Sequence, residues 1–163
     1  MKTLLIVFHS RTGGAQQMAE AAARGASASG EVGVRLLQAA DAVAEDLLQA
    51  EAYMFVMPEN LAAIAGVMKD FFDRTYYAAL ERITGRSYVV LVCAGSDGAN
   101  AVRQAERICT GWRLRQVAES IVVCTHAQTK DKILATKSIA AKDLQRCEDA
   151  GGALAAGLAL GIF

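Results

Sequence analysis

Thr3-Leu4-Leu5-Ile6-Val7-Phe8-His9-Ser10-Arg11-Thr12-Gly13-Gly14-Ala15-Gln16 joins an apolar run of strand length to a turn rich in hydroxyls and glycine, and then to a helical pattern. An unbroken apolar strand suits a parallel sheet covered on both faces, where neither side meets water. The turn Ser10 to Ala15 has the makings of a phosphate cradle. Ser10 and Thr12 carry hydroxyl donors, Gly13 and Gly14 let backbone N–H groups turn inward, and the helix start supplies a positive dipole end. Arg11 adds charge or faces solvent. The same residues also suit a plain strand-to-helix turn with Ser10 or Thr12 as the helix cap. The turn is not G-x-G-x-x-G, and it lacks the Lys-Ser/Thr of a nucleoside-triphosphate loop, which leaves a small monophosphate as its ligand.

The rest of the chain repeats this strand-then-helix unit. Further strands are expected at Val32–Leu37, Ala52–Met57, Ser87–Cys93 and Ser120–Cys124. Leu61, Ile64, Val67, Met68, Phe71 and Phe72 recur at steps of three and four, a stripe that would face the sheet from one helix. A second helix is expected from about Asn100 to Trp112, with Ala101, Ala105, Ile108 and Trp112 inward, and a third from about Ser138 to Leu158. Helices also follow Gly14 and, briefly, Asp41. Five strands alternating with helices predict one α/β domain over residues 1–163, a doubly wound parallel sheet of order 2-1-3-4-5 with helices on both faces. In such a sheet ligands bind outside the carboxyl ends of the strands, so the loops after the first, third and fourth strands should form the site.

Composition narrows the functional classes. Seventeen basic and seventeen acidic residues balance, so no net charge steers the chain toward nucleic acid or anionic lipid. Residues 1–80 hold six Lys/Arg and nine Asp/Glu and residues 81–163 hold eleven and eight; Arg103, Arg107, Arg113 and Arg115 supply much of the second half's excess. Arg103 and Arg107 share a helix face, best read as solvated rather than as a nucleotide site. The first apolar run is too short for a signal peptide, and the uncharged stretch Gly151–Phe163 is too short to cross a bilayer, so that stretch is expected to face the core or another subunit. Cys93, Cys109, Cys124 and Cys147 are far apart, with only His9 and His126 to join them, which gives a metal site no support. Cys93 and Cys124 end apolar strands and are expected to be buried thiols, in keeping with a cytoplasmic setting.

The loop Ser10-Arg11-Thr12-Gly13-Gly14-Ala15 resembles the phosphate loop of flavodoxins. Pro58-Glu59-Asn60-Leu61-Ala62-Ala63-Ile64-Ala65-Gly66, leading into Phe71-Phe72-Asp73-Arg74, resembles the loop and helix of flavodoxin-like NAD(P)H:quinone reductases. Cys93-Ala94-Gly95-Ser96-Asp97-Gly98-Ala99-Asn100 lies where that family holds the edge of the flavin ring. The resemblance covers residues 3–125 and implies FMN as cofactor. It implies that Ser10, Arg11, Thr12, Gly13, Gly14 and Ala15 surround the phosphate. Pro58, Glu59, Asn60, Leu61, Ala62 and Ala63 would line the ring and ribityl chain, and Ala94, Gly95, Ser96 and Gly98 would approach the pyrimidine side. Ala15 stands where the family usually has a third hydroxyl, a loss of about 1 kcal/mol of phosphate hydrogen bonding.

Electron-shuttle flavodoxins stack aromatic side chains on the ring and carry an acidic surface. This sequence has neither, which favours an NAD(P)H-dependent oxidoreductase passing electrons to a quinone or similar small acceptor. A homo-oligomer is also implied, since the flavin of related reductases lies near a subunit contact. A flavin-binding or electron-transfer module without turnover would use the same loops. Glu59 either turns its carboxylate to solvent or presents it to the ring, where its charge would lower the flavin potential. His126, just past the fifth strand, is placed to protonate a reduced quinone or is simply a loop histidine. A hydrolase reading would make Ser96 the nucleophile, because Ala94-Gly95-Ser96-Asp97-Gly98 is one residue from G-x-S-x-G; His126 follows in the right order, with Glu106 and Glu119 as the carboxylates between. A phosphoacceptor receiver domain fails, since His9-Ser10 and Met57-Pro58 stand where its acidic residues belong.

Overall fold

Leu4, Leu5, Ile6 and Val7 are all fully buried, as an apolar strand between two layers requires. The computed structural model describes residues 1–163. In chain order the elements are β1 (Thr3–Phe8), α1 (Gly14–Ser27), β2 (Gly33–Gln38), α2 (Ala44–Leu48), β3 (Ala52–Asn60), β4 (Ala63–Ile64), α3 (Gly66–Ala79), β5 (Ser87–Ala94), α4 (Ala99–Gly111), β6 (Arg115–Gln116), β7 (Ile121–Cys124), α5 (Lys130–Leu134) and α6 (Ala141–Leu160). Strands run β2-β1-β3-β5 in parallel, and both β6 and β7 pair with β5. This is the expected order, with the fifth strand broken into two pieces by residues 117–120.

Because side chains alternate along a strand, the sheet feeds two cores. On one face Tyr53, Phe55 and Met57 meet α2, α3 and α4. Phe72 packs edge-on against Phe55 with ring centroids 5.3 Å apart, and Trp112 lies 5.6 Å from Phe72. The indole N–H donates to the Tyr76 carbonyl at 2.9 Å, which satisfies the one polar atom the ring brings inside. On the other face Leu4, Ile6, Met54, Val56 and Leu91 meet α1 and α6.

The α1–α6 pair is built from small residues. A Cβ on Gly151 would stand 2.0 Å from the Ala22 carbonyl oxygen, and one on Gly25 would stand 1.9 Å from that of Glu148, so the helices cross backbone to backbone. The uncharged stretch from Gly151 therefore faces the core through Gly151, Leu154, Ala155, Gly157 and Leu158.

Two expectations need correction. Leu61 and Val67 are not core: Leu61 is 101% exposed and Val67 38%, because the chain makes a hairpin after β3 and starts α3 only at Gly66. Cys124 is only partly buried, unlike Cys93, since β7 is the sheet edge.

Gly151→Ala should destabilise the fold by about 1–3 kcal/mol, the usual cost of forcing a methyl into close-packed backbone. Gly152→Ala, whose Cβ would meet only the Gly25 carbonyl oxygen at 3.4 Å, should be neutral or stabilising by helix propensity. Urea unfolding of the two variants checks this; equal loss in both would contradict the backbone crossing.

Candidate functional site

The C-terminal ends of β1, β3, β5 and β7 bring four segments to one edge of the sheet. The first is the loop from His9 to Gly13. Gly13 is the N-cap of α1 with φ +92, and no side chain caps the helix. Neither Ser10 nor Thr12 fills that role, so the plain capped-turn reading does not hold. Ser10 Oγ instead accepts from the Gly13 N–H at 3.1 Å, which shapes the loop and leaves the hydroxyl hydrogen to be donated elsewhere. The N–H groups of Thr12, Gly14, Ala15 and Gln16 find no acceptor within the chain. Gly14 is pressed onto the end of β5, where a Cβ would come within 2.6 Å of Cys93 Sγ.

This donor set fits a phosphate. Unpaired amides and two hydroxyl residues share one loop at a helix N-terminus, and helix starts left in this state are open to water or to an anion. Burial holds the Cys93 thiol up at about 11 despite the opposing pull of the Lys137 charge, so the thiol beneath the loop stays protonated and adds no negative charge there. Burial, helped by the Arg11 guanidinium, pushes His9 below its ordinary range and keeps it neutral.

The second segment is the hairpin of β3 and β4, where Glu59 pairs with Ile64 and Asn60 with Ala63. Its two tip residues, Leu61 (φ 51) and Ala62 (φ 60), are both left-handed, as a two-residue type I′ turn demands. Neither is the Gly or Asn that takes this conformation readily, and strain of this kind concentrates at functional sites. Side chains of α4 hold the hairpin: Asn100 Nδ2 donates to the Ala62 carbonyl, and Gln104 Oε1 accepts from the Ile64 N–H at 2.9 Å.

The third segment, Ala94–Gly98, turns into α4 at Gly98, whose φ is +78. Glu59 is half-buried, and its charge, with that of Asp97, raises the partly buried Cys124 thiol after the larger effect of burial. Ser96 makes no hydrogen bond to His126; the His126 backbone N–H donates to the Gly95 carbonyl at 2.8 Å, and its side chain is exposed at a left-handed residue. No nucleophile–base pair exists for a hydrolase.

The fourth segment, Thr125–Ala140, crosses this edge from β7 to α6 and was not part of the expected site. The Lys137 N–H donates to the Thr12 carbonyl at 2.8 Å. Gln17 Nε2 donates to the carbonyls of Gly13 and Lys137, and its Oε1 accepts from the Ile139 N–H. The Lys137 ammonium caps α5 through the carbonyls of Lys132, Ile133 and Ala135. The Gln17–Lys137, Gln17–Ile139 and Lys137–Thr12 contacts join residues about 120 positions apart, and nothing in the local pattern around Gln17 or Lys137 signals them. Asn100 was missed for the same reason.

Residues 36–129 match the family described as NADPH-dependent FMN reductase. The chain belongs to that family. Its cofactor is FMN. The matched region holds the hairpin and the Ala94–Gly98 loop, while Ser10–Ala15 precede it. A flavodoxin of Aquifex aeolicus (strain VF5) is 36% identical over 73 residues, 45% of this chain and 40% of that relative, so the chain matches less than half its length. A flavodoxin from the domain Archaea superposes with a TM-score of 0.77 at 21% identity, covering 96% of this chain and 98% of that one. A WrbA-like protein from Agrobacterium tumefaciens gives 0.73 at 18% identity with 99% of both chains covered. These superpositions establish the flavodoxin-like fold of the FMN reductase-family chain. No helix in it is long and apolar enough to cross a membrane.

Two outcomes are expected from this geometry. Ala62→Gly should stabilise the protein by about 1 kcal/mol, the penalty of one left-handed non-glycine residue; a lower urea midpoint would contradict the turn. Because folded His9 resists the proton that the unfolded chain takes up, the histidine subtracts stability as pH falls below the ordinary value of 6.5, and has no effect above it. His9→Gln should flatten the loss of stability between pH 6.5 and pH 5 in thermal unfolding, and an unchanged profile would show that the folded protein protonates His9 freely.

Proposed function

We propose that this chain is an FMN-dependent NAD(P)H oxidoreductase that passes electrons to a quinone or a similar small acceptor. The observation that carries this reading is the set of unpaired amides at the start of α1, facing a hairpin and a loop that bear no aromatic side chain. A phosphate is held strongly, while the ring is left open to small molecules.

In this reading Ser10 and Thr12 donate their hydroxyls to the phosphate, the amides of Thr12, Gly14 and Ala15 surround it, and Arg11 adds charge beside it. Pro58 to Ala63 and Ala94, Gly95, Ser96 and Gly98 line the ring, chiefly through backbone groups, with Asn100 and Gln104 keeping the hairpin in place. Bound FMN accepts hydride from a nicotinamide and releases electrons singly or in pairs. Glu59 and Asp97 disfavour added negative charge at this edge. His126 stands exposed on the side where an acceptor would approach.

The experiment is steady-state oxidation of NADPH and NADH by the FMN-loaded protein with benzoquinone as acceptor. Turnover well above that of free FMN is expected; a rate equal to free FMN would leave a flavin-binding module without turnover. Ser10→Ala combined with Thr12→Val should weaken FMN binding at least tenfold, since hydrogen bonds to a charged group contribute about 1.5–3 kcal/mol each. Undiminished affinity would remove the hydroxyls from the phosphate site.

A further inference from the structure

Beyond the hairpin, a cavity of about 490 Å³ opens between α3 and α4, within the size range of small-ligand clefts. Its walls are unlike a solvated helix face. Ile64, Ile108 and Tyr76 give it apolar and aromatic surface, Gln104 gives an amide, and Lys69 and Arg107 stand at it as cations. Tyr76 is held by stacking on Trp112, with centroids 5.6 Å apart and planes 15° apart.

The two cations differ in availability. Lys69 pairs with Asp73 at 2.6 Å, using one of its three donors. Arg107 forms no salt bridge and no side-chain hydrogen bond, although a guanidinium is the side chain best matched to a phosphate. Arg103, one turn nearer the hairpin, donates to Asn100 Oδ1. Read along α4, Asn100 touches the hairpin tip, Gln104 holds Ile64, and Arg107 lies about 10 Å from Asn100 at about 1.5 Å of rise per residue. The cavity thus begins at the hairpin that flanks the flavin site and ends at a free guanidinium.

A ligand matched to this arrangement has a planar apolar base for Ile64, Tyr76 and Ile108 and a phosphate for Arg107 and Lys69, and is long enough to reach the flavin edge. We infer that the α3–α4 groove binds the adenosine-phosphate arm of NADPH, with Arg107 as the principal phosphate ligand and Lys69 as the second. This rests on the reading of the chain as an NAD(P)H oxidoreductase and assigns its donor to a place. It also gives Arg107 a role that the sequence pattern alone leaves as a solvated charge.

The test is calorimetric titration of the FMN-loaded protein with adenosine 2′,5′-bisphosphate. The wild type should bind, Arg107→Glu should bind at least tenfold more weakly with FMN content and thermal midpoint unchanged, and Arg107→Lys should recover part of the loss. The KM for NADPH should rise in the same order. No binding by the wild type, or equal binding by wild type and Arg107→Glu, overturns the inference. A groove that proves to be covered by a second copy, with a dimer that Arg107→Glu splits and no bisphosphate binding, overturns it as well. Bisphosphate binding lost in Arg107→Glu, in a protein that does not oxidise NADPH, upholds the groove and sinks the oxidoreductase reading.

Discussion

The amide hydrogens at the start of α1 have no partner within the chain, and the structure around them keeps them that way. Gly13 takes a left-handed conformation that no side chain caps. Ser10, the nearest candidate cap, uses its oxygen on Gly13. Gly14 lies so close to Cys93 that a side chain there would meet its sulfur, so the helix start sits directly on the strand ends. Unpaired backbone donors cost free energy wherever water or an anion does not reach them, so these amides are open to either at the strand ends. The α1–α6 crossing fixes the other end of the same helix, and the Gln17 side chain ties its first turn to the strap from β7 to α6.

A second tension sits across the edge of the sheet. Leu61 and Ala62 hold a turn that glycine or asparagine would make more easily, and the side chains that secure it come from α4. The tip therefore depends on α4, which also carries Arg103 and Arg107, so the hairpin and the groove behind it belong to one packed unit. In the proposed reading, a hairpin tip without aromatic side chains would leave the ring surface open to small molecules.

Much of this was legible from sequence. The continuous apolar runs at Leu4–Phe8 and Tyr88–Cys93 declare strands buried on both faces, and alternation with helical stripes gives the parallel order. The Ser10–Ala15 loop, the hairpin segment and the Ala94–Gly98 loop stand together at the strand ends, where the sequence places them. What was not legible has two physical causes. Leu61 and Val67 continue a helical spacing by accident, and periodicity alone does not reveal that a hairpin interrupts it at Ala63–Ile64. Gln17, Asn100 and Lys137 act through contacts between residues remote in sequence, for which a single polar side chain gives no local sign.

The central claim is that the loops at this edge hold FMN, with the phosphate on the free amides of α1. Titration of the purified protein with FMN, followed by visible absorption, tests it most directly. The account predicts uptake of one FMN per chain at micromolar concentration, with flavin bands shifted from those of the free cofactor. Bands that stay those of free FMN, with all of the flavin recovered on ultrafiltration, would contradict it.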